Sequence, residues 1–245
     1  MRRRNSFKLC VIFVCLGTVI SAFLYWRQTT TLVLWSWQRK DDLSFVDKGV
    51  VISPLVASIF VDNKGVFVCP RGNVLKLGEN AQIIPVVRLE ISPDIYVDDA
   101  HIDTIIHHIK SFIVSCKADA IQIDFDATKS QRSLYEKLLV KSRSSLPQVN
   151  VSITALASWC VGDTWIDKLP ITHAVPMIYN LGEHVDDFKK YFKDKKQWRS
   201  KKCQGFIGFE QSDVFIKPPR GWNVYIFNKN AWTEKDYKNV QEKLH

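Results

Sequence analysis

Eight short apolar segments with the residue pattern of β-strands are spread along residues 31–228, and segments with helical periodicity lie among them. Near-continuous apolar strands that alternate with amphipathic helices indicate a parallel sheet covered by helices. The predicted strands are 31–38, 49–61, 81–91, 119–127, 149–159, 173–180, 205–210 and 223–228, and the clearest predicted helices are 99–116, 129–146, 183–195 and 233–244. We therefore expect an α/β fold in which eight strands close a small (β/α)8 TIM-like barrel.

The connections between these segments predict that the barrel is partly degenerate. The sequence KPPRG between Glu210 and Asn223 leaves no room for a helix, and VFVC after Gly65 resembles the return strand of a hairpin. An open doubly wound sheet is the alternative topology, but neither a GxGxxG nor a Walker loop accompanies it. Because no linker divides the chain, residues 29–245 are predicted to form one domain.

The amino-terminal part of the chain has the composition of an export signal. Arginines and Lys8 precede 18 uncharged residues from Leu9 to Trp26, which as a helix would span about 27 Å. Residues 1–28 are therefore predicted to be an uncleaved signal anchor formed by an apolar helix, or a signal peptide cleaved near Ser21 or Ala22. In either case we expect the body of the protein, residues 29–245, to face or enter the periplasm.

Export changes how the cysteines of the body are interpreted. Cys69, Cys116, Cys160 and Cys203 would lie in an oxidising compartment, where one or two disulfides are possible in any of three connectivities. The sequence contains no CxxC motif and no Cys/His ligand spacing, so we expect neither a metal nor another cofactor.

The net charge of +9 is partly concentrated in a basic segment that runs from Lys189 to Lys202. The simplest interpretation is a solvated helix and loop. The functional alternative is a contact with anionic lipid or an acidic glycan. Nucleic acid is not an expected partner, because the compartment disfavours it and no recognition motif accompanies the run.

A polar face on the fourth strand suggests a site. In IQIDFD, alternation places Gln122, Asp124 and Asp126 on one face, toward the mouth of the barrel where such folds carry their active sites. Repulsion and partial burial should raise the pKa of one carboxylate and leave a candidate acid beside an ionised partner. The structural alternative is an ion pair with Arg88 or a cap on the following helix.

Further polar and aromatic residues of the predicted site lie at or near the ends of other predicted strands: Trp35, Trp37, Arg88, Glu90, Trp159, Tyr179, Asn180, Glu210 and Asn228. Carboxylates and tryptophans together suit a carbohydrate ligand, because sugar C–H faces pack on aromatic rings while hydroxyl groups bind carboxylates, amides and arginine. A single tryptophan is nevertheless more often a core residue.

Two families share motifs with this chain. The sequences WQR, PVVRLE, IQIDFDA, SITALASW and AVPMIYN occur in an order and spacing that resemble an uncharacterised bacterial family of exported proteins, domain of unknown function 3142. That resemblance implies export but no established activity.

The second resemblance is to the family 18 glycoside hydrolases, which carry DGxDxDxE on the fourth strand and MxYD on the sixth. The segments DAIQIDFD and MIYN align with these motifs. Gln122 and Asn180 replace aspartates, and the shorter Asp126 replaces a glutamate. The resemblance implies that Asp126 is the general acid. We expect Asp124 and Tyr179 to stabilise the reacting sugar, and Glu210 or Glu90 to serve as the second carboxylate if the mechanism is the ordinary two-carboxylate one. A glycan-binding or scaffold protein without catalysis is the alternative function.

Overall fold

The computed structural model describes residues 30–179 and 181–244. The predicted membrane segment from Leu9 to Trp26 and the predicted site residue Asn180 lie outside the described residues. Over the two described ranges, no helix is both long and apolar enough to cross a membrane.

Eight parallel strands close into a barrel, as the sequence predicts. The strands of the part of the chain that the structure describes are β1 (Thr31–Ser36), β2 (Asp41–Leu43), β3 (Val51–Asp62), β4 (Gly65–Pro70), β5 (Leu75–Leu77), β6 (Gln82–Ile83), β7 (Val86–Ile91), β8 (Ala120–Asp124), β9 (Asn150–Leu156), β10 (His173–Met177), β11 (Phe206–Glu210) and β12 (Asn223–Phe227). The order around the barrel is β1-β3-β7-β8-β9-β10-β11-β12, and β12 pairs with β1 to complete the closure. A closed barrel brings the carboxyl ends of all eight strands to one mouth.

In the described ranges, five α-helices accompany these strands: α1 (Asp99–Cys116), α2 (Arg132–Ser145), α3 (Ala157–Val161), α4 (Val185–Lys195) and α5 (Glu234–Leu244). Four of them correspond to predicted helices. Helix α3 was predicted as the end of a strand, and that prediction is wrong beyond Leu156. Leu156 is the last residue of β9 that pairs with β10, opposite Met177, so the chain is free to turn into a helix there.

Helix α1 shows how the sequence produces the outer layer. Its buried residues, from Ile102 to Ile113, recur at intervals of three and four, which places them on one face toward the barrel. Asp98 caps the helix by accepting a hydrogen bond of 2.9 Å from the backbone N–H of His101. The helix ends at Cys116, and the capping residue Lys117 has the left-handed conformation common at helix ends.

The barrel is partly degenerate. Of the connections between barrel strands in the described ranges, those from β1 to β3, from β3 to β7 and from β11 to β12 contain no α-helix. Between β3 and β7, strand β4 returns antiparallel to β3 and confirms the predicted hairpin. The β3–β4 hairpin therefore extends the barrel wall as a short, open sheet.

One disulfide joins Cys160 in α3 to Cys203 in the short helix Lys201–Cys203. It is one of the pairings that the sequence left open. Cys69 is a free and exposed thiol, and Cys116 is free and half-buried. The bridge encloses β10 and α4, whose residues form part of the mouth of the barrel.

Candidate active site

A cleft of about 540 Å³ opens at the carboxyl ends of the barrel strands. Six residues predicted from the sequence line it: Trp35, Trp37, Arg88, Asp124, Asp126 and Tyr179. They come from, or directly follow, β1, β7, β8 and β10, so barrel closure is what brings them together. Within the described ranges, no group of three or more His, Cys, Asp or Glu side chains is arranged to hold a metal ion.

Two carboxylates and one guanidinium form the polar centre of the cleft. The Asp124 side chain is only 3% exposed, whereas that of Asp126 is 49% exposed. Arg88 Nη1 lies 3.0 Å from Asp124 Oδ2, and Arg88 Nη2 lies 3.9 Å from Asp126 Oδ2. Thr154 donates a hydrogen bond of 2.6 Å to the other oxygen of Asp124. The buried carboxylate is therefore held from two sides, while its neighbour faces the cleft.

Burial dominates the electrostatics of this centre. It raises the pKa of Asp124, against the hydrogen bond from Thr154 and the charge of Arg88, which lower it. The sequence argument expected one of the two carboxylates to have a raised pKa, and in the structure that carboxylate is Asp124. The pKa of Arg88 is raised as well: burial alone would lower it, but the charges of Asp124, Asp126 and Glu90 outweigh that effect.

Tyr179 adds a hydroxyl donor to the cleft wall. Its ring stacks on that of Phe227 with 5.7 Å between centroids, and its hydroxyl lies 3.0 Å from the sulfur of Met177. Burial, reinforced by the charges of Asp124 and Asp126, raises the pKa of Tyr179 well above its usual value. A phenol that stays protonated beside a weak sulfur acceptor can donate its hydrogen bond to a ligand instead.

Two tryptophans at the carboxyl end of β1, one in the strand and one just beyond it, line the cleft. Trp35 is 1% exposed and lies in the barrel interior, 5.1 Å from the ring of Tyr225. Its indole N–H donates a 2.6 Å hydrogen bond to Gln122. Trp37 packs edge-on against Phe227 at 5.6 Å.

The structure gives Gln122 a different place from the one predicted. Its side chain is fully buried in the barrel interior and does not line the cleft, because Trp35 is its hydrogen-bond partner. Gln122 therefore positions a cleft residue rather than contacting a ligand in the cleft.

Trp159 and Asn228 are also removed from the cleft. Trp159 lies in α3, is 3% exposed and packs edge-on against Trp165 at 5.2 Å, so it is a core residue. The amide of Asn228 lies 3.4 Å from Asp236 and accepts from the backbone N–H of Asn230, which fixes the loop before α5.

Glu210 and Glu90 are engaged in ion pairs and do not line the cleft. Glu210 lies 3.0 Å from Lys229 and accepts a 2.6 Å hydrogen bond from Ser212, and these contacts lower its pKa. Glu90 lies 3.1 Å from Arg88 and lines an adjoining groove.

Sequence reasoning missed part of the cleft wall. The residues that it missed lie in or next to three elements. Leu181 precedes the short helix Gly182–His184 and His184 ends it, while Phe188 lies in α4 and Thr154 in β9. The alternation of Ser152 and Thr154 in SITAL was a usable signal for polar residues that point into the barrel. Phe188 gave no such signal, since its helical spacing with Phe192 is that of an ordinary core face.

Comparisons with known proteins support the fold. The chain matches no protein-family model and no curated protein. It is similar to the solved structure of a fungal endo-beta-N-acetylglucosaminidase from glycosyl hydrolase family 18, with a TM-score of 0.54 and 11% sequence identity over 87% of this chain and 95% of that one. The likeness is one of fold. It agrees with the barrel type implied by the resemblance to family 18, while membership of the uncharacterised exported family stays a prediction.

Proposed function

We propose that this protein is a carbohydrate-active barrel that hydrolyses a glycan containing N-acetylglucosamine, with Asp126 as the general acid. The observation that carries the proposal is the half-exposed carboxylate of Asp126 beside the buried Asp124, in an aromatic cleft at the mouth of the barrel. The fold shared with a solved endo-beta-N-acetylglucosaminidase supports the choice of ligand class.

The proposed roles follow from position and exposure. Asp126 faces the cleft and would protonate the departing glycosidic oxygen. Asp124 and the hydroxyl of Tyr179 would orient the acetamido group of the sugar and stabilise charge that develops on it. Because the cleft is lined by no carboxylates other than Asp124 and Asp126 among the described residues, we propose that the acetamido oxygen acts as the nucleophile, as in substrate-assisted glycosidases.

A second candidate function is glycan binding without cleavage. It is favoured by Arg88, whose guanidinium contacts Asp124, Asp126 and Glu90 at 3.0, 3.9 and 3.1 Å. An arginine beside carboxylates stabilises their ionised forms, whereas a general acid must hold a proton when the substrate binds. Such a cleft would bind sugar hydroxyl groups through the same polar centre.

The two functions are separated by measuring binding and hydrolysis on one panel of N-acetylglucosamine-containing glycans. Loss of a general acid typically reduces the rate by about 10²–10⁴, so Asp126→Asn should abolish most turnover and leave binding largely intact. Asp119→Asn is the matched control, because Asp119 is exposed and precedes the same strand at the opposite end of the barrel. Equal turnover in Asp126→Asn and wild type would remove Asp126 from the mechanism, and binding without turnover by the wild type would favour the second function.

We further propose that the body is exported. The disulfide between Cys160 and Cys203 supports this, because such bridges persist in oxidising compartments. If the segment from Leu9 to Trp26 is an anchor, the full chain should stay in the membrane fraction after a salt wash. Recovery of a soluble form that begins near Ala22 would indicate cleavage instead.

The basic run from Lys189 to Lys202 remains a proposed contact with an anionic surface. Most of its lysines are exposed in the structure, which permits the contact. Cosedimentation with anionic but not with neutral vesicles would support it, and equal sedimentation with both would exclude an electrostatic contact.

A further inference from the structure

A second groove adjoins the cleft at the proposed acid. Its volume is about 450 Å³, and it shares Arg88 and Asp126 with the cleft. The cleft extends from these two residues toward the ends of β1, β9, β10 and β12, whereas the groove extends toward the ends of β3 and β7. The two cavities therefore meet at Arg88 and Asp126 and extend from there toward different strands.

The register of the strands continues the groove onto the β3–β4 hairpin. Phe60 of β3 is paired with Glu90 of β7 on one side and with Phe67 of β4 on the other. Paired residues point to the same face of a sheet. Glu90 and Phe60 line the groove, so Phe67 lies on the same face one strand further out. We refer to Phe60 and Phe67 as the hairpin ledge.

The exposure of the hairpin ledge does not come from loose packing of the hairpin. Phe60 and Phe67 are 38% and 46% exposed. On the opposite face of the same strand, Val66 and Val68 are packed against the hydrophobic core. The strand is thus anchored by one face and presents an aromatic side chain to solvent on the other.

We propose that the hairpin ledge binds sugar units of a linear oligosaccharide that passes over Asp126, so that the ligand is an extended chain rather than a single terminal sugar. This inference rests on the proposed function. Continuity is its main support, because a chain that fills the cleft and leaves it past Asp126 enters the groove and then reaches Phe60. Aromatic faces suit the C–H faces of sugar rings, and Glu90 beside them offers an acceptor for hydroxyl groups.

The test compares the binding of N-acetylglucosamine oligomers of different length by the full chain. The Asp126→Asn background prevents turnover, and Phe67→Ala and Phe60→Ala are introduced into it singly. The loss of one aromatic contact should raise the Kd of a hexasaccharide about two- to tenfold and leave the Kd of a disaccharide unchanged. Val114→Ala is the control, because Val114 is 76% exposed on α1. Phe67→Trp should restore hexasaccharide binding if Phe67→Ala acts through the lost ring.

Four results would overturn the inference. An unchanged hexasaccharide Kd in both alanine variants would refute the hairpin ledge while the proposed function stands. An equal loss for disaccharide and hexasaccharide would indicate a general disturbance of the cleft. A change in oligomeric state caused by Phe67→Ala would identify the hairpin ledge as a contact between copies of the chain. Failure of every variant, the parent included, to bind either oligomer would overturn this inference, and the glycan panel described above would then decide separately whether the proposed function stands.

Discussion

The close approach of Trp35 to Gly208 makes the cleft floor sensitive to one methyl group. A Cβ placed on Gly208 would lie 2.8 Å from Cη2 and 3.0 Å from Cζ3 of the Trp35 ring, and 3.4 Å from the carbonyl oxygen of Pro176. Carbon atoms in contact are normally about 3.5–4.0 Å apart. In Gly208→Ala the indole must therefore move by roughly 0.5–1 Å. It has little room, since it is buried between Tyr225 and its hydrogen bond to Gln122.

We expect Gly208→Ala to lower the free energy of unfolding by about 1–3 kcal/mol, the usual cost of overpacking a core. For a chain of this size that corresponds to a decrease in Tm of roughly 2–12 °C. Urea unfolding and calorimetry would measure it. Gly72→Ala is the matched control, because a Cβ on Gly72 meets nothing within 4 Å, and a change within about ±0.5 kcal/mol is expected there.

A double-mutant cycle identifies the ring as the cause. Trp35→Phe removes the two ring atoms that the new methyl group meets, so Gly208→Ala should cost less in that background than in the wild type. The reasoning is refuted if Gly208→Ala is as stable as Gly72→Ala, or if its cost is the same with tryptophan and phenylalanine at position 35.

Three further predictions concern the disulfide, a partly buried histidine and the polar centre. Removing the Cys160–Cys203 bridge, which spans 43 residues, should lower the free energy of unfolding by about 2–4 kcal/mol, measured by urea unfolding with and without reductant. Burial lowers the pKa of His173 from 6.5 to about 4. Between pH 4 and 6.5 the imidazole of His173 is therefore protonated in the unfolded chain and neutral in the folded chain. The free energy of unfolding should fall by about 2–3 kcal/mol as the pH drops from 6.5 to 4. His173→Phe keeps the stacking on Phe206 and should remove this component, so an unchanged pH profile would be contrary evidence. Arg88→Met should destabilise the fold by about 1–3 kcal/mol, because it leaves the carboxylate of Asp124 without its guanidinium. Asp124→Asn should recover part of that loss in the double variant, and a lack of recovery would show that Arg88 acts through packing alone.

Much of the barrel could be predicted from hydrophobic pattern. The eight strand segments and four of the five helices in the described ranges have apolar spacings that leave little choice. The alternation in IQIDFD also placed Asp124 on the face of β8 that lines the cleft, and Asp126 lines the same cleft from two residues beyond the end of that strand. What the pattern could not show is depth along the strand. Gln122 shares a face with both aspartates, but it lies inside the barrel, where Trp35 covers it.

The companion residues show a second limit of sequence reasoning. Proximity to the end of a predicted strand identified Trp37 and Tyr179 as residues of the cleft. The same criterion failed for Trp159, because β9 ends at Leu156 and α3 carries the Trp159 side chain into the core. It failed for Glu210 as well, since Ser212 and Lys229 satisfy its carboxylate. These partners are fixed by loops whose conformations have no periodic signal.

The measurement that tests the central claim most directly is a crystal structure of the Asp126→Asn variant with a bound N-acetylglucosamine oligosaccharide. The account predicts a glycosidic oxygen within about 2.6–3.2 Å of the side chain at position 126, with a sugar ring against the aromatic wall formed by Trp37 and Phe227. An oligosaccharide bound away from the mouth of the barrel, or one in the cleft with no glycosidic oxygen within reach of position 126, would contradict it.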